Sequence, residues 1–374
     1  MGTQKARIRV LLVAPSLQIL GGQAVQATRL LSAISKDPSV TIDFQPLDPQ
    51  LPAALGFVKH MKFVRTVVTW LEYVGILLLR ARHYDILHVF TAAYTSYMLW
   101  TIPALAVAKF YGKSIVVNYR DGQAEDHLRN WRTALPTIRR MDAIISPSGF
   151  LVDVFAKFGV RIQSISNILD VGTFTYRRRR ELRPVFLHNR ILEPLYNVPC
   201  TLRAFQIVQQ HYPAASLTVA HSGPLRTSLE ALAAELGLRN TRFIGRVPHA
   251  EVAALYDAAD VYLTSPDIDC MPGSILECFA SGLPVVATRA GGIPYIATDQ
   301  ETALLVPIGD HAAMAEAALR YLRDPDLVER ITLNARNSCD RYTEAPVRDA
   351  WVALYRRLVS RPEFDAQRSH AQSA

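Results

Sequence analysis

Cysteine is scarce in this sequence, and none of the four cysteines is spaced for chemistry. Cys200, Cys270, Cys278 and Cys339 include no pair separated by two residues. Zinc sites commonly use paired cysteines, and disulfide-stabilised secreted domains have many cysteines in a short chain, so these residues are interpreted as reduced cytosolic thiols. No other cluster of metal-ligand residues is recognisable, and we expect neither a metal nor a resident cofactor.

Apolar runs long enough to cross a membrane are also missing. Residues 66–79 are interrupted by Glu72, and residues 92–110 contain Thr, Ser and Pro, which favours a core helix. The basic and apolar start at residues 7–15 is too short for a signal peptide and predicts the first buried strand. We therefore expect a cytoplasmic protein.

Negative charge is in the minority, because 33 Asp and Glu residues face 41 Lys and Arg residues, for a net charge of +8. A basic protein suits anionic partners, and no nucleic-acid-binding module is recognisable, so we expect nucleoside diphosphates or an acidic membrane surface. The helical region at residues 57–83 mixes basic and aromatic residues, which suits peripheral binding at the inner face of a membrane. A helix that only packs on its sheet explains the pattern equally well.

The length of 374 residues exceeds one ordinary core and predicts two domains. Strand and helix patterns alternate in both halves, which is typical of doubly wound α/β domains, and no solenoid repeat is present. The predicted division is listed here: a first domain at 1–175, an exposed arginine-rich linker at 176–184, a second domain at 185–340, a terminal helix at 341–360 that crosses back to the first domain, and a frayed tail at 361–374.

The most informative stretch, residues 261–287, predicts a strand, a loop, a helix, a turn and a second strand. Pro272 suits the start of the helix because its missing N–H would have no partner there. Gly273 lets a ligand approach the backbone, and the N–H groups of Gly273, Ser274 and Ile275 together with the helix dipole would bind a phosphate group.

Two carboxylates flank this predicted phosphate site. Asp269 lies just before the helix and Glu277 lies inside it. Carboxylates beside a phosphate site suit hydrogen bonds from hydroxyl groups, as on a ribose or a sugar ring. A phosphate site between two hydroxyl acceptors describes a nucleotide-sugar.

Asp269 and Glu277 have the spacing of the E-x7-E signature, and the stretch resembles family 4 retaining glycosyltransferases (glycosyl transferases group 1) with Asp in place of the first Glu. Residues 282–294 are similar to the strand and GG loop that follow in that family. The resemblance implies the GT-B fold, with two Rossmann-like domains facing across a cleft. It also implies metal-independent transfer of a sugar, of the hexosyltransferase type, from a nucleotide-diphosphate-sugar to a glycan, lipid-linked or small-molecule acceptor.

The same resemblance implies roles for particular residues. Glu277 would bind hydroxyls of the ribose or sugar, Asp269 would hold sugar hydroxyls, and Arg190 would neutralise the diphosphate leaving group. The donor-binding positions that it implies are Gly21, Gly22, Arg120, His221, Gly223, Arg246, Pro272, Gly273, Ser274 and Ile275. From the residues alone, the pair Gly21–Gly22 is better explained as an ordinary helix-entry turn.

The chain departs from the family pattern at two charged positions. Arg120 stands where a histidine that contacts the donor sugar is common, with Asp121 or His127 as nearby substitutes. The lysine expected after Arg190 is absent, and its neighbourhood holds Leu195, Tyr196 and Asn197. These departures keep open a catalytically weakened GT-B protein that binds a nucleotide or a partner without turnover. An epimerase of the same fold is a third candidate.

Two histidines allow a functional and a structural interpretation. His88 lies near the carboxyl end of a predicted strand, where ligands of doubly wound sheets bind, but a hydrogen-bonded core histidine is at least as well supported. His221 takes the place of a glycine in the GxGP turn of the family, where it would contact the nucleotide or simply be tolerated by the turn.

Overall fold

The computed structural model of the protein describes residues 7–17, 21–49 and 62–360. The predicted tail at 361–374 and the start of the helical region predicted from residue 57 lie outside these residues. The described chain packs as two compact units. The first unit contains the residues up to Ile168 and those from Glu344 onwards, and the second unit runs from Leu169 to Thr343.

The first unit is built on a six-stranded parallel sheet with the strand order β2-β1-β3-β4-β5-β6. Its strands are β1 (Ile8–Ala14), β2 (Val40–Pro46), β3 (Ile86–Thr91), β4 (Ser114–Tyr119), β5 (Ala143–Ser146) and β6 (Gln163–Ser164). Its helices are α1 (Gly22–Ser35), α2 (Lys62–Ala81), α3 (Tyr94–Ser96), α4 (Ile102–Phe110), α5 (Ala124–Asn130), α6 (Ala134–Ile138) and α7 (Gly149–Ala156), with a π-helical stretch at Tyr97–Thr101.

The second unit contains another six-stranded parallel sheet, with the order β12-β11-β10-β7-β8-β9. Its strands are β7 (Val185–Asn189), β8 (Ser216–Ala220), β9 (Thr241–Gly245), β10 (Val261–Thr264), β11 (Val285–Thr288) and β12 (Leu304–Val306). Its helices are α8 (Val198–His211), α9 (Arg226–Glu235), α10 (His249–Ala258), α11 (Gly273–Ser281), α12 (Ile293–Ile296), α13 (His311–Arg323) and α14 (Pro325–Asn337), with 3₁₀ turns at Val171–Thr173, Pro194–Tyr196 and Ser338–Tyr342.

Continuous apolar runs explain the central strands of both sheets. Every residue of β3, β4, β10 and β11 is buried. Parallel strands covered by helices on both faces need such runs, because neither face of the sheet reaches water. The last helix, α15 (Glu344–Val359), belongs to the first unit, where Trp351 and Tyr355 are part of the core beside β1 and β3.

The arginine run after residue 176 is exposed only in part. Arg179 is only 2% exposed and donates hydrogen bonds to the carbonyl groups of Ser281, Tyr256 and Ala259. Asp260 accepts hydrogen bonds from Arg177 and Arg183. The carbonyl groups at the end of α10 and the Asp260 carboxylate draw Arg177 and Arg179 inwards, whereas Arg178 and Arg180 are exposed as their charge predicts.

Helix α2 is apolar on its buried face and on its solvent-facing face. Tyr73, Leu77 and Ala81 are fully buried on one side. The exposed apolar side chains on the other side are Val64, Val67, Leu71, Leu78 and Leu79. Among the described helices, none combines the length and apolarity that a membrane crossing requires.

Candidate functional site

The beginning of α11 forms the centre of the candidate site. Pro272 precedes the helix with an extended backbone, and no side chain caps the helix. Among the described residues, no acceptor bonds the N–H groups of Gly273 or Ser274. The N–H of Ile275 donates to the Pro272 carbonyl at 3.2 Å, so the prediction that it points at a ligand is wrong for this group. Two N–H groups and the positive end of the helix dipole therefore suit an anionic ligand.

Open space lies beside Gly273. A Cβ atom added there would meet no atom within 4 Å, and the glycine does not adopt a left-handed backbone conformation. Neither the packing of the chain nor its backbone geometry therefore requires glycine at this position. A ligand that approaches the helix end closely would require it.

Arg190, the first residue after β7, lies beside this helix end. Its Nη2 donates to Asp269, its Nη1 lies 3.4 Å from the Ser274 hydroxyl, and its guanidinium carbon lies 4.5 Å from the centre of the Tyr196 ring. The side chains of Arg190 and Asp269 are only 15% and 11% exposed. Burial alone would lower the pKa of Arg190, but the Asp269 carboxylate outweighs this and raises the pKa above its usual value.

The GG loop that follows β11 holds the backbone of Asp269 in place. The N–H of Gly292 donates to the Asp269 carbonyl at 2.7 Å. Gly291 has a φ of 50°, and a Cβ atom there would clash with the same carbonyl oxygen. Only glycine combines this backbone conformation with so close an approach. The loop that the resemblance identifies therefore positions Asp269.

Glu277, on α11, is held by a tyrosine that the sequence did not identify. The Tyr256 hydroxyl donates to Glu277 Oε2 at 2.9 Å and lies 3.3 Å from the Asn189 amide nitrogen. Burial, with a further contribution from Glu277, raises the pKa of Tyr256 well above its usual value, so the hydroxyl stays protonated and donates. The second Glu277 oxygen, Oε1, accepts no hydrogen bond from a described residue and can accept one from a ligand hydroxyl.

The turn after β8 has the backbone of a glycine turn although it contains a histidine. His221 has a φ of 89°, a region that bulky residues rarely adopt. Its N–H donates to the Gly245 carbonyl at 2.6 Å, and its Nδ1 accepts from the Ser222 N–H at 3.0 Å. A Cβ atom at Gly223 would clash with the Leu192 backbone, so this glycine is required by the close packing of the turn.

Arg246 is exposed after β9 and acts electrostatically on the same turn. Burial lowers the pKa of His221, and the charges of Arg246 and Arg190 lower it further. The second unit therefore brings together most of the predicted positions: Arg190, His221, Gly223, Arg246, Asp269, Pro272, Gly273, Ser274, Ile275 and Glu277.

Gly21, Gly22 and Arg120 belong to the first unit. A Cβ atom at Gly21 or Gly22 would meet nothing within 4 Å, so the start of α1 is as open as the start of α11. Arg120 follows β4, where its guanidinium donates to Asn167 and lies 4.8 Å from the centre of the Phe90 ring. It lines a cavity of about 10 Å³, which has room for about one water molecule.

The two histidines of the first unit for which a role was considered, His88 and His127, are buried in its core. His88 is fully buried, and its Nδ1 lies 2.7 Å from the Tyr355 hydroxyl. Burial, together with the charge of Arg120, lowers the pKa of His88 to about 3. His127 is also fully buried, and burial lowers its pKa to about 4. Neither ring reaches the surface, so neither takes the place of the donor-contacting histidine that the resemblance implies.

Sequence comparison finds a family similarity within the second unit. Residues 177–338 match the model of the family described as glycosyl transferases group 1, which confirms the resemblance over that segment. The chain is 31% identical over 162 residues to the lipopolysaccharide core biosynthesis glycosyltransferase LpsD of Rhizobium meliloti. It is 36% identical over 148 residues to the D-inositol 3-phosphate glycosyltransferase of Corynebacterium urealyticum. These matches cover 43% and 39% of this chain but only 46% and 35% of the relatives, so the chain spans about half or less of their length.

Solved structures resemble the chain over nearly its whole length. Sucrose-phosphate synthase from Thermosynechococcus elongatus matches with a TM-score of 0.75 and 17% identity, covering 95% of this chain and all of that structure. Anabaena HepE in complex with UDP and glucose matches with a TM-score of 0.73 and 16% identity, covering 93% of this chain and 99% of that structure. At these identities the comparison establishes the fold, and the predicted GT-B architecture of two Rossmann-like α/β domains is confirmed.

Proposed function

We propose that the protein is a glycosyltransferase that moves a sugar from a nucleotide-diphosphate-sugar to a hydroxyl acceptor, with retention of configuration and without a metal. The observation that carries the proposal is the open start of α11, where two unbonded N–H groups, Arg190 and two carboxylates lie together. Two relatives named glycosyltransferases and a structural neighbour solved with UDP and glucose support it.

Each residue of this group has a task in such a transfer. The N–H groups of Gly273 and Ser274 and the Arg190 guanidinium would neutralise the charge that develops on the diphosphate leaving group. Glu277, steadied by Tyr256, would hold hydroxyls of the donor, and Asp269 would hold sugar hydroxyls. Positioning and charge stabilisation together account for the catalysis.

The first experiment offers sugar nucleotides of uridine, guanosine and adenosine to the protein and follows release of the nucleoside diphosphate. Glu277→Gln, which keeps the size of the side chain but weakens its hydrogen bonds to hydroxyls, should reduce turnover about 100-fold. Glu230→Gln is the matched control, because Glu230 is exposed and forms an ion pair with Arg226 on α9. Equal turnover of both variants would contradict the role of Glu277.

Retention and metal independence need separate measurements. The anomeric configuration of the new glycosidic bond, read by NMR, should equal that of the donor. Turnover should persist in excess EDTA. Inversion of the anomeric carbon would refute the first statement, and loss of turnover that Mg²⁺ or Mn²⁺ restores would refute the second.

A binding protein without turnover is the second candidate, and Tyr196 is the observation that favours it. The ring lies on Arg190, near the position where the resemblance expects a second cation. Calorimetric binding of a nucleoside diphosphate with no turnover of any sugar nucleotide would support this alternative. An epimerase would instead give a new sugar nucleotide from the donor alone.

We also propose that the exposed face of α2 rests on an anionic membrane surface. Leu71 is 58% exposed and Val67 is 42% exposed on this face, and the exposed Arg65 and Arg82 lie at the two ends of the helix. An apolar stripe with basic ends suits the boundary between headgroups and acyl chains. The positive net charge of the chain favours anionic lipid.

Flotation with vesicles of phosphatidylcholine and phosphatidylglycerol tests this partner. Wild-type protein should float with the vesicles, and Leu71→Glu should remain in the soluble fraction. Leu333→Glu is the control, because Leu333 is 51% exposed on α14 of the second unit. Flotation of Leu71→Glu equal to that of the control would refute the membrane role of α2.

A further inference from the structure

The guanidinium of Arg190 forms an ion pair with a carboxylate of the protein. Asp269 accepts from its Nη2, and the Ser274 hydroxyl lies 3.4 Å from its Nη1. Because Ser274 belongs to the first turn of α11, the guanidinium lies where the proposed function puts the diphosphate. The carboxylate and the diphosphate therefore compete for one planar set of donors that suits either of them.

Replacement of the carboxylate by a diphosphate on Arg190 would involve the Asp269 side chain and not its backbone. The Asp269 backbone is fixed by the Gly292 N–H and by the close approach of Gly291. The Asp269 carboxylate also accepts hydrogen bonds from the backbone N–H groups of Cys270 and Met271. A carboxylate that leaves Arg190 still loses its counter-ion, which is costly for a buried charge, and it therefore needs further hydrogen-bond donors. Hydroxyls of a donor sugar supply them, whereas the nucleoside diphosphate product, which has lost its sugar, does not.

Resting on the proposed function, we infer that Asp269 is an internal counter-ion of Arg190, which the sugar nucleotide displaces and which returns to expel the nucleoside diphosphate product. Asp269 therefore has two roles: it holds the sugar of the donor and it weakens the binding of the product. Asp in place of the family Glu suits the second role, because its carboxylate pairs directly with Arg190 while its backbone stays fixed.

Tyr196 is the positioning residue of this exchange. Its ring lies against the guanidinium at 4.5 Å, and the 3₁₀ turn that carries it is joined to the Asp269 loop by two hydrogen bonds. The Asp267 N–H donates to the Leu195 carbonyl at 2.9 Å, and the Asn197 amide donates to Asp267 Oδ1 at 2.8 Å. A cation on an aromatic face keeps its place when its counter-ion changes.

Calorimetric titration of the full chain with UDP, GDP and ADP tests the inference. Asp269→Asn removes the competing charge and nearly preserves the shape, so the variant should bind the nucleoside diphosphate about tenfold more tightly than wild type. The same variant should turn over the sugar nucleotide more slowly, because the sugar loses its acceptor. Asp326→Asn, which removes the exposed partner of Arg180, should bind like wild type.

Thermal unfolding shows whether the Asp269→Asn variant is folded. Asp269→Asn leaves a buried arginine without its counter-ion, so its melting temperature should fall, and the nucleoside diphosphate should raise it more than it raises that of wild type. Unchanged or weaker binding by Asp269→Asn, with wild type binding normally, would overturn the inference and leave the proposed function standing. Absence of binding of all three nucleotides to folded wild type would overturn both.

Variants of Tyr196 test whether its aromatic ring positions the Arg190 guanidinium or only fills space beside it. Tyr196→Phe keeps the aromatic face and should keep nucleotide affinity within about threefold. Tyr196→Leu should weaken affinity about tenfold and raise KM more than it lowers kcat. Equal affinities of the Phe and Leu variants would overturn the positioning role.

Discussion

Gly273 illustrates how a single residue can be explained by a ligand rather than by the fold. Its surroundings would accept a Cβ atom, and its backbone does not need the freedom of glycine. Gly223 and Gly291 differ from it, because the Leu192 and Asp269 backbones approach them too closely for any side chain. The sequence marks all three as glycines, and only the structure separates their roles.

Gly273→Ala should therefore leave the stability of the protein unchanged and weaken its binding of the donor. We expect the melting temperature to change little, whereas affinity for the cognate nucleoside diphosphate should fall about tenfold, because the methyl group occupies the approach to the helix end. Gly291→Ala should instead lower the melting temperature, since it meets the Asp269 backbone. Unchanged nucleotide affinity in Gly273→Ala would show that the helix end binds no phosphate.

His221 combines an imidazole with the backbone of a glycine. Its φ of 89° strains any residue that has a Cβ atom. We expect His221→Gly to be about 1 kcal/mol more stable than His221→Ala, because both lose the imidazole and only glycine releases the strain. Chemical denaturation of the two variants measures the difference, and equal stabilities would show that the turn carries no strain.

Among the elements, α10 depends on charges supplied from another part of the chain. Its C-terminal carbonyl groups accept hydrogen bonds from Arg179, and the Arg177 and Arg183 side chains meet at Asp260 just beyond it. The order of charges along the run does not reveal this, because Arg178 and Arg180 have the same charge and lie on the surface beside Glu329 and Asp326. Successive side chains of an extended chain point in opposite directions, and this separates the inward-facing arginines from those on the surface.

Replacing one arginine from each set tests this division. Arg179→Met should lower the free energy of unfolding by about 3 kcal/mol, because buried carbonyl groups lose their donors. Arg180→Met should change it by less than about 1 kcal/mol, since its ion pair is exposed to solvent. Urea denaturation measures both values, and similar losses would mean that the run acts as one surface.

At the scale of the whole molecule, buried histidines link stability to pH. Burial lowers the pKa of His88 and His188 to about 3 and that of His127 to about 4. Below the ordinary pKa of 6.5 the unfolded chain binds protons that the folded chain does not. The free energy of unfolding is therefore highest above pH 6.5 and declines as the pH falls towards the lowered pKa values of the three histidines.

His88→Gln should reduce this dependence on pH. Each such histidine contributes about 1.4 kcal/mol per pH unit below its ordinary pKa, so the unfolding free energy of wild type should fall more steeply between pH 6.5 and 5 than that of the variant. Denaturation of both proteins at several pH values measures the two slopes. Parallel slopes would show that folding does not lower the pKa of His88.

The alternation of apolar strands and amphipathic helices was sufficient to predict two parallel α/β units, because burial on both faces of a sheet requires continuous apolar runs. The Pro272–Gly273 start of a helix predicted the phosphate site from local backbone chemistry, and Asp269 and Glu277 predicted hydroxyl acceptors on either side of it. Only the tertiary structure placed Tyr196 on Arg190, joined Tyr256 to Glu277 and buried Arg179, His88 and His127. These contacts join residues of different elements, and no local period or motif records which side chains meet when separate elements pack.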